Sequence, residues 1–166
     1  MYRSIEDFTK DWELETQGTL KVLSAITERT RKEKIHPDVR SLARLGWHLT
    51  QTITEMGHKA GLFTEDELEY ILPPSDYTEL VSLYQQYCRI LANAVRLKWT
   101  DSGLTDQVEM YNEQWEKGKI LRVLIAHQTH HRGQMTVIMR VLGLLVPGLY
   151  GPSKEEWEEF GMMVPE

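Results

Sequence analysis

Apolar residues recur at steps of three and four along nearly the whole chain, and strict alternation never lasts beyond a few residues, which predicts an all-α fold. Phe8, Trp12, Leu20, Leu23 and Ile26 make a first stripe that runs from a capping pair at Ser4 and Asp7 to about Lys32, with Gly18 as a weak point. A second begins at a cap on Asp38, after His36-Pro37, and carries Val39, Leu42, Leu45, Leu49, Ile53 and Met56 to Gly61. The third runs from Ser75 or Asp76 through Tyr77, Leu80, Tyr84, Tyr87, Leu91 and Val95 to about Trp99. The fourth starts near Lys117 and carries Ile120, Leu124, Met135 and Ile138 to a glycine cap at Gly143.

Four helices of roughly 24 to 29 residues, about 36 to 43 Å each, have the number and length of a four-helix bundle. The connector Leu62 to Ser75 is expected to hold a short helical turn at Glu65 to Ile71 before Pro73 and Pro74. It spans ~50 Å when extended, so an overhand connection is available and spacing leaves the topology open. Thr100 to Glu116 is polar and long for a featureless loop, and is expected to pack over one bundle end. A short tail helix is expected at Glu155 to Phe160.

With 166 residues, 41% of them hydrophobic, and no internal repeat, the chain reads as one domain, 1–166. A domain of this size buries roughly 70% of its unfolded surface, so a metal must be argued from chemistry and not from stability. The formal charge of −6 offers no blanket attraction to nucleic acid or to anionic membranes. Cys88 is the single cysteine, which excludes an intrachain disulfide and fits a reducing compartment. Glu6, Asp7, Asp11, Glu13 and Glu15 leave no secretory apolar core at the start, and the uncharged run Val141 to Ser153 is interrupted by Gly and Pro. That run falls short of the ~20 apolar residues a membrane span needs, so the expected location is cytoplasmic.

Three of the six histidines cluster in His127-Gln-Thr-His-His131-Arg-Gly-Gln134. His127 and His131 are one helical turn apart, with Cβ atoms about 5 to 6 Å from each other, on the face that Ile120, Leu124, Met135 and Ile138 turn toward the core. Neutral imidazoles facing an apolar interior cost about 1 to 3 kcal/mol for each unsatisfied group. A shared metal would satisfy both, and so would backbone carbonyls, side-chain amides or water. A third ligand should come from another helix, and His48, at the edge of the second apolar stripe and near mid-helix, is the candidate. Three neutral imidazoles would leave coordination positions open and suit zinc, nickel, iron or copper. Gln134, Gln51 and Thr52 lie one turn from these histidines and either orient them or are ordinary polar residues.

The other candidates carry less chemistry. His130 points about 100° away from His131, toward Val123, Ala126 and Val137, and reads as a packing or interface residue. Glu55-x-x-His58 has the spacing of di-iron bundles but lacks the second such pair and the two further carboxylates. His36 reads as solvated, and Cys88 as a small buried hydrophobe. The five tryptophans either line a pocket mouth or pack helix ends. No His-Glu-x-x-His, phosphate-cradling glycine loop or Gly-x-Ser-x-Gly elbow is present.

Gly46-Trp-His48-Leu, Trp115-Glu-Lys-Gly118, His127-Gln-Thr-His-His131-Arg-Gly-Gln134 and Leu142-Gly143 together resemble the DinB/YfiT-like family over nearly the whole chain. The resemblance implies an up-down-down-up four-helix bundle, often a homodimer, with a divalent metal on three histidines. By position these are His48, His127 and His131, the same three residues chosen from spacing. Zinc or nickel is the first expectation for the ion, with iron or manganese next. The resemblance further implies activation of a low-molecular-weight thiol for transfer to an electrophilic small molecule. A metal-dependent hydrolase, or a stress-related dimer that binds metal or a small ligand without turnover, are the alternatives. The sequence names no catalytic residue beyond the ligands.

Overall fold

The computed structural model describes residues 1–157, 159–161 and 163. The first helix, α1, spans Ile5–Ser24, and the Ser4 hydroxyl accepts the Asp7 N–H at 3.3 Å while Glu6 and Asp7 face the positive end of the helix dipole. It stops well short of the expected Lys32. Thr27 accepts backbone N–H groups from Thr30 and Arg31 at 3.1 and 3.0 Å, and the Thr27 and Thr30 hydroxyls meet at 2.8 Å, which draws the backbone out of the helical ladder. Ile26 remains buried beyond Ser24, so the apolar spacing continued past the end of the helix.

The second helix, α2, is Leu42–Lys59, and its cap is Ser41, which accepts the Arg44 N–H at 3.3 Å. Asp38 is not the cap; it lies in the preceding loop, where its N–H donates to His36 Nδ1 at 3.2 Å. The helix ends where Gly61 takes a φ of +72°, and the Leu62 N–H reaches back to the Gly57 carbonyl at 2.8 Å. Asp76 caps α3, Tyr77–Lys98, by accepting the Thr78 N–H at 2.8 Å. The last helix, α4, is Lys117–Val141, closed by Gly143 at φ +72° with the Leu144 N–H on the Met139 carbonyl at 2.9 Å.

Contacts between the helices fix their directions. Tyr2 donates to the Gly118 carbonyl at the start of α4, and Glu15 meets Arg132 farther along, so α1 and α4 run parallel. Trp12 donates to the Cys88 carbonyl, and the Ile5 N–H to Asp101 just beyond α3, so α1 and α3 run antiparallel. Gly46 lies against Leu80, and the Lys98 ammonium donates to the Leu62 carbonyl, so α2 and α3 are parallel. Each of α1 and α2 packs on both α3 and α4, giving an up-down-down-up bundle with an overhand connection between α2 and α3.

That connection contains turns, such as Glu69 N–H to the Asp66 carbonyl, and no helix. The extra helical segment lies instead in the later connector, as a 3₁₀ stretch at Asp101–Thr105. Beyond it, β1 (Gln107–Met110) and β2 (Glu113–Glu116) form an antiparallel hairpin, an element absent from the helical reading. Tyr111 and Asn112 turn it with φ values of 54° and 64°, the left-handed pair that a two-residue hairpin demands. Met110 is fully buried beneath it. In the tail, Glu156 and Trp157 donate to the Ser153 carbonyl as turns; the helix expected at Glu155 to Phe160 includes Glu158, which lies outside the described residues. Trp12, Trp47, Phe8, Tyr84, Leu23, Leu49 and Leu91 form the centre of the core.

Candidate metal centre

The antiparallel pair α2 and α4 sets the Leu49 carbonyl opposite the Gln128 amide, and this register brings His48 against His127 and His131. Gly46 permits the approach of α2: a Cβ there would lie 2.9 Å from Leu23 Cδ2. Trp47 holds the other side by donating to the Ile71 carbonyl at 3.0 Å. The three rings stand edge to face, with centroids 4.4 Å apart for His127 and His131, 4.6 Å for His48 and His131, and 5.0 Å for His48 and His127. One nitrogen from each lies within 4.8 Å of the others. Among the described residues these three form the cluster of His, Cys, Asp or Glu side chains able to hold an ion.

Burial is the first cause of a lowered pKa at all three. His48 is pushed down to about 4 by burial, then by its neighbours His127 and His131, and by Arg40 and Arg44. His127 falls to about 4 through burial, His131, His130 and Arg40. His131 is lowered by burial against the opposing pull of its hydrogen bond to Gln134. All three are therefore neutral near pH 7 and carry lone pairs. Two nitrogens at 2.0 to 2.1 Å from a tetrahedral ion would sit about 3.3 Å apart, and His48 Nε2 and His131 Nε2 are separated by 3.1 Å. His127 Nδ1 is buried with no hydrogen-bond partner. The residues present fit a divalent metal.

His48 also lines an open, polar cleft of about 390 Å³ with Gln51, Thr52, Glu55, His58, Lys59, Asp66 and Glu69. Sequence reasoning missed Asp66 and Glu69 here because only the overhand connector carries them to α2. Glu55 was legible, two turns after His48 on the same helical face, but it was weighed only as half of a di-iron pair. Tyr111 at the hairpin tip reaches the same neighbourhood, with Lys59 Nζ 5.4 Å from its ring centre.

Other expected residues separate. Gln51 turns to Arg44 and to the Leu68 carbonyl, and the Thr52 hydroxyl donates to the His48 carbonyl, so these hydrogen bonds go to groups other than the imidazoles. Gln134 does reach one, with Oε1 2.7 Å from His131 Nδ1. His36 is exposed and His58 lies 3.4 Å from the Phe63 carbonyl, and neither joins the cluster. His130 is exposed and is not one of the three grouped ligands, although its ring stands edge to face on His131 with centroids 4.8 Å apart. Cys88 is buried, with its thiol pushed up to about 12 by burial, which makes it a core residue and no ready nucleophile. No tryptophan lines the cleft; Trp12 and Trp47 are core residues.

The DinB family model matches residues 1–163. The chain belongs to the DinB family. An uncharacterised Bacillus subtilis protein, YrdA, is 36% identical over 166 residues, covering 100% of this chain and 99% of the relative. A solved DinB-like protein from Bacillus cereus superposes with a TM-score of 0.80 at 34% identity, covering 90% of this chain and 100% of that one. The DinB-like protein YjoA of Bacillus subtilis matches at a TM-score of 0.70 and 14% identity, over 89% of this chain and 99% of its own, a likeness of fold. The family fold and the three-histidine cluster thus coincide in one chain.

Proposed function

We propose that this DinB-family chain is a metal-dependent enzyme that presents a low-molecular-weight thiol to an electrophilic small molecule. His48, His127 and His131 hold the ion, with zinc or nickel the best match to three neutral nitrogens, and iron or manganese next. The observation that carries the reading is the convergence of three uncharged imidazoles from two helices beside an open polar cleft. A bound divalent ion lowers the pKa of a thiol or water that reaches a vacant position. The chain's own groups do the rest: α2 and α4 keep the rings aimed at one point, burial keeps them unprotonated, and the cleft admits a small polar molecule next to His48. Glu55, Asp66 and Glu69 on that cleft favour a second reading, hydrolysis, because a carboxylate there can accept a proton from water.

Zinc- or nickel-loaded protein is expected to conjugate a small thiol to an alkylating electrophile, with His127→Ala abolishing both stoichiometric metal and turnover. Hydrolysis of labile esters or amides without thiol dependence would replace the transferase reading with the hydrolase. Metal without turnover across a broad panel would leave a binding protein, and no metal after reconstitution would defeat every version.

A further inference from the structure

We propose that Gln134 is a positioning residue that sets the tautomer of His131, with His130 holding the amide in the orientation this requires. The inference rests on the metal-centre reading and deepens it. Gln134 Oε1 lies 2.7 Å from His131 Nδ1, and a carbonyl oxygen only accepts, so Nδ1 carries the hydrogen. Gln134 Nε2 lies 3.2 Å from His130 Nε2, and an amide nitrogen only donates, so His130 Nε2 is the acceptor. Both contacts are local to α4, at i,i+3 and i,i+4, and hold whatever the other helices do.

The alternative amide orientation would set an N–H against His131 Nδ1. His131 would then carry its hydrogen on Nε2, the nitrogen that faces His48 Nε2 at 3.1 Å. With Gln134 as it stands, His131 Nε2 keeps its lone pair, and in the metal-free protein the hydrogen between the two rings belongs to His48. His131 is thus set to accept an ion before one arrives. The side chain of Gln134 is exposed, so replacing it opens no cavity in the core.

The test uses the full-length protein, its Gln134→Leu and Gln134→Glu variants, nitrogen-resolved NMR of the histidines without metal, and zinc affinity by competition with a chromophoric chelator. Wild type is expected to show His131 with hydrogen on Nδ1. Gln134→Leu should lose that preference and bind zinc about 10- to 100-fold more weakly, the usual cost of losing such a partner, with an unchanged metal-free melting temperature. Gln134→Glu, which still accepts from Nδ1, should restore both readouts. An unaltered tautomer in Gln134→Leu, or a Gln134→Glu as defective as Gln134→Leu, overturns the proposal. A wild type that takes up no zinc defeats the metal reading alone, since the tautomer measurement still decides the role of Gln134.

Discussion

His131 and Arg132 are consecutive, both buried, and project about 100° apart on α4, where they meet two very different polar clusters. Arg132 is well partnered through both terminal nitrogens. It donates to the Glu15 carbonyl at 2.9 Å, to the Thr19 hydroxyl at 3.0 Å, to the Glu15 carboxylate and to the Tyr150 hydroxyl, which itself donates to Glu15. That cluster ties α4 to α1 and to the tail through hydrogen bonds among its own members. The histidine flank is incomplete: His48 Nε2 and His131 Nε2 have only each other, at 3.1 Å, and His127 Nδ1 is buried without a partner. Buried polar groups that complete one another hold a fold together; buried polar groups left incomplete mark where something else belongs.

The largest expected effect lies on the arginine flank. Arg132→Ala leaves the Glu15 carboxylate without its buried partner and should cost about 3 to 5 kcal/mol of stability, read as a lowered urea midpoint. Zinc should leave this loss in place, and full rescue by zinc would break the contrast between the two flanks. Next comes the histidine flank with metal. At a zinc concentration 100 times its Kd, wild type should gain about 2.7 kcal/mol, and His48→Ala should gain little. An equal gain in His48→Ala would show that the ion binds elsewhere.

The smallest effect is the pH dependence of the metal-free protein. His48 and His127 titrate near 4 when folded and near their ordinary 6.5 when unfolded, so the unfolded chain binds more protons between those values. Their contribution is present in full above about pH 6.5 and is lost as pH falls toward 4. After discounting for their partial exposure this is on the order of 1 kcal/mol for each, and His48→Gln should flatten the profile. An unchanged profile in that variant would mean that the rings are not held neutral by burial.

Much of the bundle was legible because helical burial is periodic: the Ser4 and Asp76 caps, the Lys117 start and the Gly143 stop all follow from local chemistry. The errors share a cause. Ile26 stays buried outside the helix, so its spacing prolonged the first stripe, and Ser41 competed unnoticed with Asp38. The hairpin hid because its strands are four residues each, too short for alternation to stand out, and because Tyr111 and Asn112 turn it without glycine.

For the site, the sequence by itself determined that His127 and His131 share a face, because a four-residue step on a helix allows nothing else. It also determined that Gln134 lies one turn from His131. Only the tertiary structure decided that His48 completes the group, that Arg132 turns to Glu15 and Tyr150, and that Asp66 and Glu69 border the cleft. Those neighbours come from segments far apart in the chain, and their meeting depends on helix direction and register, which side-chain packing sets and apolar periodicity does not encode.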